Sequence, residues 1–95
     1  MNVETSLSQS LAEPEAATLL RLRIAAEADP CVLGRVLARF HNLNVLPRRV
    51  VAELSCREVL HIQLDLADVA PERLSQITAR LGQLPSILQA YWHYV

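Results

Sequence analysis

The stretch that decides the fold is "LLRLRIAAEADPCVLGRV", Leu19 to Val36. Its first half alternates. Leu20, Leu22, Ile24 and Ala26 fall on one side, and Arg21, Arg23 and Glu27 fall on the other. A period of two is that of a half-buried strand. Its second half opens a helix. Asp29 offers a carboxylate to the free N–H groups of a helix start, and Pro30 suits the first helical position. Val32, Leu33, Val36, Leu37 and Phe40 then form one apolar stripe, with Arg35, Arg39 and His41 turned away. Arg39 and His41 complement the negative end of the helix dipole. "HNLN", residues 41–44, ends the helix, because asparagine tolerates the left-handed turn of a C-terminal cap.

Downstream the same two periods recur. "VLPRRVVAELS" (45–55) reads as a second strand. Pro47 cannot donate to a ladder, so this strand starts irregularly or lies at a sheet edge. A brief "CRE" turn leads into "VLHIQLDLA" (59–67). There Leu60, Ile62, Leu64 and Leu66 point inward, and Val59, His61, Gln63 and Asp65 point outward. So short a link makes the pair a hairpin. "APERLSQITARLGQL" (70–84) is a second amphipathic helix. Pro71 and Glu72 lie in its first turn, Leu74, Ile77, Leu81 and Leu84 form its stripe, Gly82 weakens its end and Pro85 stops it. "ILQAYWHYV" (87–95) closes the chain as an aromatic strand.

The order is β-α-β-β-α-β, a loose repeat of strand, helix and strand. Right-handed crossovers turn that order into an α+β, ferredoxin-like sandwich: a four-stranded antiparallel sheet with both helices on one face. The open face is expected to carry Arg21, Arg23, His61 and Asp65. Val51, Val59 and some of Tyr91, Trp92 and Tyr94 would leave apolar surface there, which favours a partner.

The 95 residues fit one domain, and 52% of them are apolar, enough for a real but thin core. Residues 1–17, "MNVETSLSQSLAEPEAA", read as a flexible polar tail with no secretory or transit pattern, and residues 18–95 as the domain. A net charge of −1 predicts no general attraction to nucleic acid or anionic membrane. The apolar runs are too short to span a bilayer. Two cysteines without metal-type spacing read as free thiols in a reducing compartment, so a soluble cytoplasmic chain is expected.

The chemistry-bearing residues form no catalytic set. His61 and His93 are placed on outer strands flanking Arg21 and Arg23, whose charges would repel a cation, so no metal is expected. Asp65 and Asp68 suit solvent exposure. No nucleophile, base and orienting group come together, so no catalysis and no cofactor are expected. Base-stacking aromatics are missing from the central strands. Cys31 in a first helical turn is where a dipole favours a thiolate, which leaves a redox protein using Cys31 as one alternative. The other reading of Cys31 is a small packing residue.

Asp29, Pro30, Leu33, Arg35 and Val36 of "DPCVLGRV", with Asn44 and Val45 of "NV", resemble the signature of the ACT domain, a small-molecule sensing module of amino-acid metabolism. The resemblance spans about Leu19 to Val95. Among such domains the chain is most similar to the small regulatory subunit of acetolactate synthase, through "LGRVLARF", the brief connection after it and the basic second strand. Cys31 stands where the family has glycine, and Asn42 where a glycine is usual. The resemblance implies a non-catalytic regulatory module that forms a homodimer through sheet edges and binds a catalytic large subunit. It also implies a branched-chain amino-acid effector at Ala28, Asp29, Pro30, Cys31, Val32 and Leu33, with Asn44 and Val45 from the entrance of the second strand. A free-standing ACT sensor with another target is the remaining alternative.

Overall fold

A computed structural model describes residues 18–95. The expected tail, residues 1–17, lies outside the described residues. The elements are β1 (Leu20–Glu27), α1 (Val32–Asn42), β2 (Arg49–Leu54), β3 (Val59–Leu66), α2 (Pro71–Leu81) and β4 (Ile87–Tyr94). The strands form one antiparallel sheet in the order β2-β3-β1-β4. This is the ferredoxin-like arrangement that the order of elements implied.

The alternation of β1 sets the layers. Leu20, Leu22, Ile24 and Ala26 are buried beneath the helices, while Arg21, Arg23 and Ala25 are half-buried on the open face. In antiparallel pairing, residues opposite one another share a face. Leu20 faces Leu66, Leu22 faces Leu64 and Ile24 faces Ile62, so β3 adds its own apolar row to the same layer. Val32, Val36 and Phe40 of α1 and Leu74, Ile77 and Leu81 of α2 close the core from above.

Local chemistry fixes the ends of the elements. Asp29 does not cap α1 as expected: its carboxylate accepts the Cys31 N–H at 2.9 Å in the turn ahead of the helix, while Cys31 holds the N-cap position and no side chain caps the helix. The helix proper begins two residues later than Pro30 implied. Pro30 and Cys31 form a turn in which the Val32 N–H bonds to the Asp29 carbonyl at 3.0 Å. At the other end Asn44 takes φ 59, the Val45 N–H reaches the Phe40 carbonyl, and the Asn44 N–H reaches that of His41. Those two bonds make a Schellman cap, with asparagine in the position usually held by glycine. In the β2–β3 hairpin, Glu58 takes φ 65 and the Ser55 hydroxyl accepts the N–H groups of Arg57 and Val59. The N–H of Arg48 bonds to the Asp65 carbonyl, so β2 begins irregularly after Pro47 and lies at the edge of the sheet.

The β4 register decides which of the three aromatics reach the open face. Leu22 faces Trp92 and Leu20 faces Tyr94, which puts both aromatics on the helix side. Trp92 Nε1–H donates to the Ser75 hydroxyl of α2 at 3.0 Å and ties the edge strand to that helix. Only Tyr91 of the three aromatics joins the open face, opposite Arg23. The register shift between Ala25 and Ala26 leaves Leu88 bulged out of the ladder, 55% exposed.

The helices cover β1, β3 and β4 but stop short of β2. Val50 and Leu54 lie on the helix side of the sheet yet stay 43% and 64% exposed. Leu22, fully buried on the central strand, is the reference point of the covered part. Leu22→Ala should cost about 2–5 kcal/mol in urea unfolding, through lost transfer energy and an uncollapsed cavity. Leu88→Ala, at the exposed bulge, should stay within about 0.5 kcal/mol of the parent.

Candidate functional site

Two places concentrate side chains that can do chemistry: the mouth of α1 and the open face of the sheet. At the mouth, Ala28, Asp29, Pro30 and Leu33 line a cup of about 310 Å³ together with Leu54 of β2 and Leu60 of β3. Except for the Asp29 carboxylate, the lining is aliphatic. Two amides open beside it. The N–H groups of Cys31 and Val32 are bonded to Asp29, and the N–H of Arg35 to the Cys31 carbonyl. The Leu33 and Gly34 N–H groups meet no acceptor among the described residues, and they carry the positive end of the helix dipole. Gly34 has open space where a Cβ would stand.

The sequence-derived site residues divide into two groups. Ala28, Asp29, Pro30 and Leu33 come together at the cup. Cys31 is exposed and outside the lining. Its backbone is an ordinary right-handed one, φ −89 and ψ −12, so a side chain at this position strains nothing. Val32 is buried in the core beneath the helix. Asn44 and Val45 lie past the far end of α1, an 11-residue helix about 16 Å long, and so stand apart from the cup of their own chain. The sequence reading missed Leu54 and Leu60. Leu60 reads as part of the inward row of its strand and Leu54 only as a residue of the second strand, and it is the strand order that brings both to the helix mouth.

Cys31 and Cys56 are both free and exposed. The Asp29 carboxylate oxygens serve the Cys31 amide at 2.9 Å and Arg35 at 3.8 Å. No cluster of three metal-ligating side chains occurs among the described residues. No helix among them is long and apolar enough to cross a membrane.

On the open face the structure corrects the reading of Asp65 as exposed. Asp65 is 5% exposed and makes a two-pronged contact with Arg21: Nε donates to Oδ1 at 2.8 Å and Nη2 to Oδ2 at 3.1 Å. The β1–β3 register puts the two residues directly opposite one another. The hydrogen bonds from Arg21 hold the Asp65 carboxyl below its usual range. Burial pushes the other way, and the positive charges of Arg21, Arg49 and Arg23 add to the lowering. The Arg21 guanidinium is raised in turn, first by its hydrogen bond to Asp65.

The histidines are also placed differently from the expectation. His61 lies on β3, an inner strand, and only His93 is on an edge strand. His93 Nδ1 lies 2.8 Å from the Tyr94 carbonyl and must donate to it, which leaves Nε2 to accept from Arg23 Nε at 3.1 Å. Both ring nitrogens are thereby used within the fold.

These features define a small ferredoxin-like module whose open sheet face is locked by ion pairing and whose first helix opens beside an apolar cup. The chain belongs to the ACT-like domain family, whose model matches residues 12–95. Among solved structures it is similar to the C-terminal domain of the MgtC protein from Mycobacterium tuberculosis, at 16% identity and TM-score 0.71, covering 88% of this chain and 94% of that one. It is also similar to the ACT domain from GTP pyrophosphokinase of Chlorobium tepidum, at 12% identity and TM-score 0.68, covering 82% and 100%. An uncharacterised protein from Thermotoga maritima is similar at 18% identity and TM-score 0.65, covering 81% and 95%. At these identities the likeness is one of fold. No curated protein matches the chain.

The lowered pKa of Asp65 fixes a sign for acid stability. A carboxyl whose pKa is depressed on folding contributes stability at neutral pH that fades as pH falls from about 4 through the folded value. Asp65→Asn should therefore lower Tm at pH 7 and lose less of it than the parent between pH 5 and 2. Parallel acid profiles for the two proteins in thermal scans would count against the pairing.

Proposed function

We propose that this chain is a non-catalytic regulatory subunit of the ACT type that senses a small aliphatic amino acid and acts as a homodimer on a cytoplasmic biosynthetic enzyme. The observation that carries this reading is the helix mouth, where two unpaired amides, of Leu33 and Gly34, stand beside an aliphatic cup. An amino-acid carboxylate suits the amides and the dipole. A branched apolar side chain suits Leu33, Leu54 and Leu60, in the manner of most small-molecule sites: apolar walls with few polar contacts.

The enzyme that fits best is an acetolactate synthase-like catalytic chain, from the resemblance of "LGRVLARF" and the strand after it to the small subunit of that enzyme. Valine, isoleucine and leucine are the corresponding effectors. Asn44 and Val45 belong to the same site when a second copy supplies them, as the resemblance implies for effectors held at an interface. The exposed apolar residues beside the sheet, Leu46 at 89% and Leu54 at 64%, favour such a partner.

Titration calorimetry with valine, isoleucine and leucine tests the sensing. Heat with at least one of them is expected, and Leu33→Asn should weaken that binding by about tenfold, since it puts an unpaired amide into the aliphatic cup. Silence with all three overturns effector binding. Co-purification with an acetolactate synthase catalytic chain tests the target. A stable complex supports it, and failure to bind that chain or change its activity leaves the free-standing sensor.

A further inference from the structure

The open face of the sheet is closed at one end and hollow at the other. Strand register sets its side chains in rows. One row runs Arg49, Asp65, Arg21 and His93, and the Arg21–Asp65 pair fills it. The next runs Val51, Gln63, Arg23 and Tyr91, and a third runs Glu53, His61, Ala25 and Gln89. In that third row an inner position carries only the methyl of Ala25, between the longer side chains of His61 and Gln89. A hollow of about 280 Å³ results. Its floor is Ala25 with the backbone of Ile24 and Ile62, whose own side chains are buried on the other face.

Arg23 lines this hollow in a fixed pose. Its Nε–H donates to His93 Nε2 at 3.1 Å, and that imidazole is held in turn by the Tyr94 carbonyl. Arg21 occupies both oxygens of the Asp65 carboxylate. The Nη groups of Arg23 therefore donate to no described residue, and their end-on fork matches a carboxylate. The other walls are of a different kind. His61, Gln63, Gln89 and the Tyr91 hydroxyl can each donate and accept, and none has a side-chain hydrogen bond to a described residue. Glu53 is the only acid in the lining. Tyr91, stacked on His93 and 47% exposed, presents its ring at the rim.

A ligand suited to this set has one anionic end, for Arg23, and a neutral body rich in hydroxyls. A second anionic end would meet Glu53. An apolar body would leave the two amides and the imidazole without partners. We propose that the hollow is a second binding site, for a small sugar acid with one carboxylate and several hydroxyls on a short carbon chain. The carboxylate seats on the Nη fork of Arg23. The hydroxyls exchange hydrogen bonds with His61, Gln63, Gln89 and Glu53, and C–H groups lie against the Tyr91 ring. His93 is a positioning residue that aims Arg23. The site lies on the opposite face of the sheet from the aliphatic cup and does not depend on it.

Titration calorimetry on the full chain tests the site, with gluconate as the probe. Saturable binding is expected. Hexanoate lacks the hydroxyls, glucose lacks the carboxylate, and glucarate carries a second carboxylate. Each should bind about tenfold more weakly than gluconate, or worse. Ala25→Leu fills the hollow from its floor and should abolish gluconate binding. Arg23→Gln should weaken it by about tenfold or more. Gln89→Glu, on the exposed edge strand, sets a negative charge against the ligand and should also weaken binding by about tenfold. It decides the matter where thermal scans show either of the other variants unfolded. Silence with gluconate overturns this site and leaves the helix mouth, read with valine, isoleucine and leucine, untouched. Gluconate binding that survives both Ala25→Leu and Gln89→Glu lies elsewhere on the chain and overturns the assignment. Equal affinity for gluconate and hexanoate, or for gluconate and glucose, overturns the ligand class.

Discussion

The alternation of β1 is the constraint on which the rest of this structure depends. β1 is an inner strand, paired with β3 on one side and β4 on the other. Its even-numbered residues carry the centre of the core, from Leu20 to Ala26. A slip of one residue against β3 would drive Arg21 and Arg23 beneath the helices and expose the leucines. The cost of burying unpaired guanidinium groups forbids that. The β1–β3 register is therefore fixed by hydrophobic pattern, and everything placed by register follows from it.

One consequence is the ion pair of the open face. Arg21 and Asp65 meet because the apolar rows of β1 and β3 have already been aligned, Leu20 with Leu66 and Leu22 with Leu64. The pair reinforces a register chosen by the core, since a shifted strand would leave Asp65 buried without its guanidinium. Its two parallel hydrogen bonds have the geometry that makes arginine–carboxylate contacts directional. Arg23 and His93 extend the same logic to β4, where the imidazole spends both nitrogens on the fold. On this face Arg21, Arg23 and His93 hold the strands together.

A second consequence is the uneven cover of the sheet. Two 11-residue helices span three strands and leave β2 bare. The uncovered strand lies next to the helix mouth, and Leu54 belongs to both the bare edge and the cup. The cup and the bare edge therefore share a border.

Sequence alone determined the elements and their layering, because periods of two and 3.6 are written locally in Leu20–Ala26, Val32–Phe40, Leu60–Leu66 and Leu74–Leu81. It determined the left-handed turn at Asn44, because that depends on one side chain and its own backbone. It named the cup's near wall, Ala28, Asp29, Pro30 and Leu33, through a motif that is contiguous in the chain. Tertiary structure decided what contiguity cannot carry. Asp65 reads as an exposed strand residue until register sets Arg21 over it. Which of Tyr91, Trp92 and Tyr94 face the helices is settled only by the pairing of β4 with β1. Leu54 and Leu60 reach the helix mouth only once the strand order is known, and Asn44 and Val45 are parted from it by the length of α1. Each of these rests on which strands lie side by side, a choice made by burial summed over the whole sheet rather than by any one stretch of sequence.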